Sequence, residues 1–304
     1  MKEFDSIQLM QQPTAVAIGY FDSIHLGHAR VLSVAAQAAS EGLLPTVLTF
    51  DMQSVRPQGK GQQDLFSLDQ RKRYIAELGM EQFVQIPFGL VREMSPEDFV
   101  QQILTKNGLN AKLVVVGTDF RFGYQRAGSA EDLRLLCEKA GIRAVSVDAV
   151  MAGGEEVSTS RIKALIQEGQ VEEAAQLLGR PYEVEGVVED GNHLARILGF
   201  PTANIPFPSG CLVPKRGVYR SIAIIQGESY PAITNIGVRP TVTKDVRETT
   251  ETHLIGFEGD LYGQTIRVSL LEFIRPEKKF DSQEELRKEV MANIQYSQSR
   301  FRSV

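Results

Sequence analysis

The sequence has few of the residues that commonly mark a protein class. Its 304 residues include no tryptophan, two cysteines and four histidines. Cys137 and Cys211 lie far apart in the sequence, which argues against a disulfide framework and against a zinc site. No apolar run approaches the roughly 18 residues of a membrane-spanning helix, and the N-terminus lacks the apolar core of a secretory signal. These absences predict a cytoplasmic protein with reduced thiols.

Basic residues are not in excess. The 33 lysines and arginines against 38 aspartates and glutamates give a formal net charge of −5, whereas nucleic-acid-binding proteins usually carry a basic face. A hydrophobic fraction of 42% with 23% charged residues is typical of a globular chain, and the length predicts two domains. We therefore expect neither nucleic acid nor a membrane among the partners.

Strands and helices alternate in the first half of the chain. Ser67, Ser95 and Ser129 each mark a helix start that a hydroxyl side chain can cap. Apolar runs predict buried strands, namely Ala15–Ile18, Thr46–Phe50, Phe83–Ile86, Leu113–Val116 and Ala144–Val147. The alternation predicts an α/β fold, Rossmann-like, with a parallel sheet covered on both faces and ligands at the carboxyl ends of the strands.

The pattern changes after two short helices, over about 160–168 and 171–178, at Gly179–Pro181. No helix-length segment separates the strands that follow, and Ser282-x-x-Glu285 caps a final helix. The predicted strands are Tyr182–Val188, Val218–Ile225, Tyr230–Ile236, Thr250–Phe257 and Ile266–Phe273. This order predicts a small antiparallel β-barrel with a C-terminal helix. We therefore expect two domains, residues 1–179 and 180–304.

The most informative segment is the strand-to-helix corner AVAIGYFDSIHLGH, residues 15–28. The unpaired N–H groups and dipole of a helix start favour phosphate, and two imidazoles can donate to phosphate oxygens. A glycine between them lets a nucleotide approach the backbone. The alternative is a pair of histidines with a purely structural role in a loop. The candidate catalytic pair is His25 and His28, and the candidate nucleotide-binding residues are Gly19, Phe21, Asp22 and Gly27.

Two further motifs in the first half suit a flat, phosphorylated ligand. Gly117–Gly123 follows a buried strand and offers Asp119, Phe120 and Arg121 for a flat ring to stack on and a phosphate to pair with. The alternative is a structural turn with Phe120 and Phe122 in the core. The segment 157–163 starts a helix with hydroxyls and two cations that could hold a triphosphate, although hydroxyls there are also ordinary caps. Its candidate nucleotide-binding residues are Ser158, Ser160, Arg161 and Lys163.

In the second half, the segment from Gly191 to Asn204 has the glycines and short polar residues of a loop that wraps phosphates. Thr202 and Asn204 offer two neutral oxygens to a magnesium ion. Phosphoryl transfer also needs a carboxylate to deprotonate the attacking hydroxyl, for which Glu251 is the candidate. The alternative for Glu251 is a solvated strand residue. The remaining candidates are Gly191, Arg196 and Gly199 for nucleotide, and Arg275, which could pair with a ligand or with Glu277.

Together these motifs resemble those of the bacterial bifunctional riboflavin kinase/FMN adenylyltransferase (FAD synthetase) family over nearly the full chain. The resemblance implies an adenylyltransferase module followed by a riboflavin kinase module. It also implies two steps that depend on ATP and Mg²⁺, namely phosphorylation of riboflavin to FMN and adenylylation of FMN to FAD with release of pyrophosphate. The resemblance rests on Gly19–Asp22, His25–His28, Gly117–Gly123, Ser158–Lys163, Gly199–Asn204, Asn235–Gly237, Glu251 with His253-Leu254, and Asp260–Gly263.

The resemblance also implies residue roles. His25 and His28 would bind ATP phosphates during adenylyl transfer. Asp119 would lie near flavin and nucleotide. Thr202 and Asn204 would hold magnesium and ATP, and Glu251 would be the base for the ribityl hydroxyl of riboflavin.

Three positions depart from the family pattern. Ser23 and Ala195 replace glycines and could restrict phosphate loops, and Lys163 replaces an arginine and so loses its planar fork. Two alternatives to a bifunctional enzyme therefore stay open. One is an adenylyltransferase with a weakened kinase module, and the other is a flavin-binding regulatory paralogue with little turnover.

Overall fold

The computed structural model describes residues 1–52, 63–190, 199–240 and 246–301. The chain divides into two units between Thr159 and Ser160, ahead of the boundary that we expected at residues 179 and 180. The helices over Thr159–Glu168 and Val171–Leu178 therefore fall almost wholly in the second unit. The change of sequence pattern at Gly179 marks the approach to the first barrel strand.

A parallel sheet forms the centre of the first unit. The strands of this unit are β1 (Lys2–Phe4), β2 (Thr14–Ile18), β3 (Leu44–Asp51), β4 (Gln82–Pro87), β5 (Ala111–Gly117), β6 (Arg121–Phe122), β7 (Gly128–Ser129), β8 (Arg143–Val147), β9 (Met151–Ala152) and β10 (Glu155–Glu156). Six of them pair in parallel in the order β1-β4-β3-β2-β5-β8. All residues of β2 are buried, as is usual for a parallel sheet covered on both faces. The predicted α/β fold is confirmed.

Helices cover this sheet and begin at the predicted caps. They are α1 (Leu26–Gln37), α2 (Leu68–Glu77), α3 (Phe88–Arg92), α4 (Pro96–Phe99), continued by a π-helix over Val100–Leu104, and α5 (Ala130–Lys139). The hydroxyls of Ser67, Ser95 and Ser129 each accept a backbone N–H at the start of α2, α4 and α5. The core beneath includes Cys137, and burial raises the pKa of its thiol to about 12.

The second unit is a nearly closed antiparallel barrel. Its elements are α6 (Thr159–Glu168), α7 (Val171–Leu178), β11 (Tyr182–Val187), β12 (Ala203–Pro206), β13 (Gly217–Ile225), β14 (Glu228–Pro240), β15 (Val246–Leu254), β16 (Thr265–Arg275) and α8 (Gln283–Phe301). The strand order is β11-β16-β13-β14-β15-β12. The N–H of Glu189 donates to the Asn204 carbonyl at 2.9 Å and links the two ends of the sheet. The predicted barrel and final helix are confirmed.

Three features of this barrel position the site described below. Ala203 and Asn204, which we expected at the end of the Gly191–Asn204 loop, belong to β12, which pairs with β15. Helix α8 packs on β14, and its Ile294 joins a small core with Phe200, Val218 and Ile233. Helix α7 packs on β11 and β16.

No helix in the described ranges is both long enough and apolar enough to cross a bilayer.

Buried hydroxyls run through the barrel. Ser221 and Thr234 lie 2.7 Å apart between their hydroxyl oxygens, and Thr234 and Thr252 lie 3.0 Å apart. All three side chains are fully buried. Because each hydroxyl can both donate and accept, the three hydroxyls satisfy one another's hydrogen bonds across β13, β14 and β15.

Candidate active sites

The first candidate site lies where β2 ends and α1 begins. Gly19 donates its N–H to the carbonyl of Leu48 on the neighbouring strand at 3.2 Å. Phe21 and Ile24 then adopt φ values of 51° and 45°, in the left-handed region. A Cβ on Gly19 would lie 2.8 Å from the ring of Phe21. The shape of this corner therefore depends on glycine at residue 19 and on the aromatic ring that covers it.

His25 is the N-cap residue of α1. Its Nδ1 accepts the N–H groups of Gly27 at 3.1 Å and His28 at 3.2 Å. Because Nδ1 accepts, the neutral ring carries its proton on Nε2. A Cβ on Gly27 would lie 3.0 Å from His25 Cε1, so glycine leaves room for the imidazole. The expectation that the N–H groups of this helix start are unpaired is wrong at Gly27 and His28, because His25 caps both.

The two histidines lie against each other. The His25 and His28 rings stack with centroids 3.8 Å apart at 11°, and the ring of Phe21 meets His28 edge-on at 5.4 Å. The structure thus brings the predicted pair together, with an orientation that the aromatic neighbour helps to fix.

Asp22 and Ser23 bind other parts of the first unit. The buried Asp22 carboxylate accepts the N–H of Leu65 at 2.6 Å. The Ser23 hydroxyl lies 2.8 Å from that of Thr159, at the start of α6. The beginning of the 158–163 motif therefore meets the histidine corner. Ser23 lies outside the left-handed region, so the backbone here does not require the glycine that the family pattern has.

The other residues of that motif continue along α6. Ser158 directly precedes the helix and is half-buried. Ser160 is exposed, while Arg161 and Lys163 are half-buried and lie in the second unit. Their contacts with nucleotide stay a prediction.

Arg71 is a corner residue that our sequence analysis missed. Its Nε donates to the Phe21 carbonyl at 3.1 Å, and its Nη2 donates to the Tyr20 carbonyl and lies 3.4 Å from Thr49 Oγ1. The guanidinium also lies 4.6 Å from the Tyr20 ring centroid. A signal was present, because Arg71 occupies the buried stripe of α2 with Tyr74, three residues on.

The Gly117–Gly123 loop follows β5, which neighbours β2 in the sheet. It therefore lies at the same edge as the histidine corner. Phe122 is buried and packs against Phe99 with centroids 5.5 Å apart, as the structural alternative expected. Phe120 stacks on Phe122 at 5.7 Å and is half-buried, and Asp119 and Arg121 are exposed. Part of the loop thus fills the core, and part is exposed.

The second candidate site is a cavity of 840 Å³ in the barrel unit. A size of this order suits a small organic ligand. Its polar lining includes Thr202, Asn204, Asn235, Glu251, His253 and Arg275. Four of the predicted site residues thus line one cavity.

Three of these side chains form a row across the sheet. Glu251 on β15 pairs with Asn204 on β12 and with Asn235 on β14. Residues directly opposite each other in adjacent strands point to the same face. Strand register therefore places a carboxylate between two amides on the cavity wall, which does not fit the alternative of a merely solvated Glu251.

Asn204 offers an oxygen to this cavity. Its Nδ2 donates to the Thr202 carbonyl at 3.5 Å, whereas its Oδ1 is buried and meets no donor among the described residues. A buried acceptor without a partner costs free energy unless a ligand satisfies it. Magnesium takes oxygen ligands and keeps several waters or phosphates. The donor set of Thr202, Asn204 and Glu251 fits such an ion.

Arg275 lines the cavity but is already engaged. Its Nε lies 3.0 Å from Glu289 Oε1 on α8, and its Nη1 donates to the Pro276 carbonyl at 3.2 Å. The partner in the structure is thus Glu289, where the sequence suggested Glu277. The Glu277 carboxylate instead lies against Gly237, where a Cβ would collide with it.

Three nucleotide candidates belong to the glycine-rich segment before β12. Gly191 and Arg196 lie outside the described residues, as does Ala195. Gly199 is described, with a φ of 91° and open space around its Cα.

Known proteins combine both units in one chain. A family model described as FAD synthetase matches residues 7–161, and one described as riboflavin kinase matches residues 178–301. The bifunctional riboflavin kinase/FMN adenylyltransferase of Bacillus subtilis is 34% identical over 92% of this chain and 90% of its own length. The chain belongs to this bifunctional family. The Escherichia coli K12 riboflavin kinase/FMN adenylyltransferase is 33% identical over 93% of this chain and 91% of its own.

A solved structure supports the same fold throughout. The crystal structure titled as a macrolide-efflux protein from Streptococcus pneumoniae has a TM-score of 0.85 and 28% identity, and the match covers 98% of this chain and 99% of that one. The riboflavin kinase/FMN adenylyltransferase family thus accounts for both units, and the resemblance seen in the sequence is confirmed.

Proposed function

We propose that this chain phosphorylates riboflavin with ATP in the barrel cavity and adenylylates the resulting FMN to FAD, with release of pyrophosphate, at the histidine corner. The observation that carries the proposal is the row of Asn204, Glu251 and Asn235 on the cavity wall. The matches to both family models support assigning one reaction to each unit.

In the kinase step, Glu251 is the base. Its carboxylate takes the proton of the ribityl hydroxyl, whose oxygen attacks the γ-phosphorus of ATP while ADP leaves. Thr202 and Asn204 would hold Mg²⁺, which when bound would neutralise charge on the phosphates. Nucleotide contacts from Gly191, Arg196 and Gly199, and a flavin contact from Arg275, complete the proposed site.

In the adenylyl step, an oxygen of the FMN phosphate attacks the α-phosphorus of ATP and pyrophosphate leaves. This nucleophile is already an anion, so the corner has to stabilise charge rather than remove a proton. His25 donates Nε2–H to a phosphate oxygen, and His28 acts beside it. Asp119, Phe120 and Arg121 face the flavin. Gly19, Phe21, Asp22 and Gly27 shape the nucleotide site, and Ser158, Ser160, Arg161 and Lys163 hold the triphosphate.

The proposed small-molecule partners and cellular compartment follow from this chemistry. Riboflavin, FMN and ATP are the partners, and the protein works in the cytoplasm. Two buried free cysteines support a reducing compartment.

Turnover by the purified full-length protein tests this proposal. With riboflavin, ATP and Mg²⁺, the wild type should form FMN and then FAD. Glu251→Gln should lower FMN formation about 10²-fold or more because the amide cannot accept the proton. When FMN is supplied, this variant should still make FAD.

His28→Ala is the matched control. It should lose about 2–4 kcal/mol of transition-state stabilisation in FAD formation and keep FMN formation. A wild type that makes neither product would favour the regulatory paralogue, and one that makes FAD only from supplied FMN would favour a weakened kinase.

A further inference from the structure

His253 lies beside the proposed kinase base without a role so far. It follows Glu251 by two residues on β15, so the two side chains share one face of the strand, and both line the cavity. Its Nδ1 lies 2.9 Å from the Pro201 carbonyl oxygen. A carbonyl only accepts, so this ring carries a proton on Nδ1 and donates it to Pro201.

The bond falls at a sensitive point of the chain. Phe200 is buried in the core with Val218, Ile233 and Ile294, and its ring meets His253 edge-on at 6.4 Å. Pairing in β12 begins only at Ala203. Pro201 and Thr202 thus lie between a core anchor and a strand, where no ladder hydrogen bond from the described residues holds them.

Peptide geometry extends the effect of this bond to Thr202. The Pro201 carbonyl shares one rigid plane with the nitrogen and Cα of Thr202. A donor that fixes the orientation of the Pro201 carbonyl therefore also fixes the orientation of the peptide plane from which Thr202 continues. Asn204 completes the link, because its Nδ2 donates to the Thr202 carbonyl at 3.5 Å.

We propose that His253 is a positioning residue of the kinase site. By donating to the Pro201 carbonyl, it holds the peptide before Thr202 so that Thr202 and Asn204 present their oxygens together to magnesium and ATP. The proposal rests on the proposed metal site. Groups that orient metal ligands commonly change metal affinity by 10- to 100-fold when removed, which sets the effect to expect at about tenfold or more.

Two substitutions separate the donor from the ring. His253→Phe keeps an aromatic ring against Phe200 and loses the donor. His253→Asn loses the ring and keeps an N–H close to the position of Nδ1. In full-length protein, we would measure FMN formation against Mg²⁺ concentration at saturating ATP, together with the KM for riboflavin.

His253→Phe should raise the Mg²⁺ concentration for half-maximal rate by about tenfold or more and change the riboflavin KM little. His253→Asn should return the Mg²⁺ requirement most of the way to wild type. FAD formation from supplied FMN, which we assign to the histidine corner, should be unchanged in both variants, and the unchanged riboflavin KM reports that the barrel cavity is intact.

A second readout needs no turnover. In ligand-free protein, the backbone amide resonance of Thr202 should shift in His253→Phe and return toward its wild-type position in His253→Asn. A wild-type Mg²⁺ requirement in His253→Phe would overturn the inference. So would equal loss of rate in both variants with the Mg²⁺ requirement unchanged, because His253 would then contact the substrate itself.

Asn204→Ala distinguishes this failure from failure of the proposed metal site. It should raise the Mg²⁺ requirement whatever His253 does. If Asn204→Ala has its effect and His253→Phe has none, only the positioning role is wrong. If Asn204→Ala also has none, the proposed metal site is wrong and the positioning role falls with it.

Discussion

The histidine corner and the barrel cavity achieve their geometry in different ways. At the corner, much of the polar capacity is used within the protein, because His25 Nδ1 caps α1 and the Asp22 carboxylate holds Leu65. In the cavity, strand register alone sets Asn204 opposite Glu251, and the Asn204 oxygen meets no donor among the described residues. Motif residues such as Asp22 can therefore fix the shape of a site through bonds within the protein, without contacting its ligand.

If the barrel cavity takes its geometry from strand register, the barrel unit should keep its kinase activity by itself, and truncation tests this most strongly. A fragment from Ser160 to Val304 keeps α7, whose buried Val171, Leu177 and Leu178 help to cover the barrel. A fragment from Arg180 loses them. At about 1.5–3 kcal/mol for each buried side chain, the shorter fragment should lose most of its stability.

Circular dichroism and chemical denaturation measure that difference. The longer fragment should fold and phosphorylate riboflavin, and the shorter one should be largely unfolded. Equal stability of the two fragments would support the expected domain boundary at residues 179 and 180.

Arg71→Met would sharpen the claim that the corner depends on internal bonds. Each buried carbonyl left without its donor costs about 1–3 kcal/mol of stability. A displacement of about 1 Å at the corner should also lower FAD formation by about 10²-fold. FMN formation should change little. Thermal unfolding and the two product assays give all three values.

Arg134→Met is the matched control, because Arg134 is an exposed helix arginine of the same unit with surface partners Glu131 and Glu138. Surface pairs of this kind are worth about 0–1 kcal/mol. Equal losses in Arg71→Met and Arg134→Met would mean that the corner does not need the buried guanidinium.

Ser23→Gly should have the smallest effect. It removes one hydroxyl contact with Thr159, worth about 1 kcal/mol, from a position whose φ does not require glycine. FAD formation should stay within about fivefold of wild type, since 1.4 kcal/mol corresponds to tenfold. Thr159→Val removes the other hydroxyl of the same contact. Its loss of FAD formation should therefore not add to that of Ser23→Gly when the two substitutions are combined. A large gain on Ser23→Gly would show that serine restricts the phosphate loop.

Local sequence signals predicted the elements well, because caps such as Ser67 and Ser129 and the apolar runs between them act within a few residues. They failed for Ala203 and Asn204, which belong to the four-residue strand β12 because this segment pairs with the distant strand β15. They also failed for Arg71, whose partners Tyr20 and Phe21 lie far away in the sequence. Residue types were therefore readable at both sites, whereas long-range partners had to come from the fold.

The row of Asn204, Glu251 and Asn235 also constrains which changes of length the barrel can absorb. Because side chains alternate along a strand, deletion of one residue within β15 would turn Glu251 toward the side of Thr250 and Thr252. The two-residue turn at Gln226 and Gly227, with both φ values positive, lies outside that row. Insertions should be tolerated there, so the chain can change in length at its hairpin tips while the spacing along β15 stays fixed.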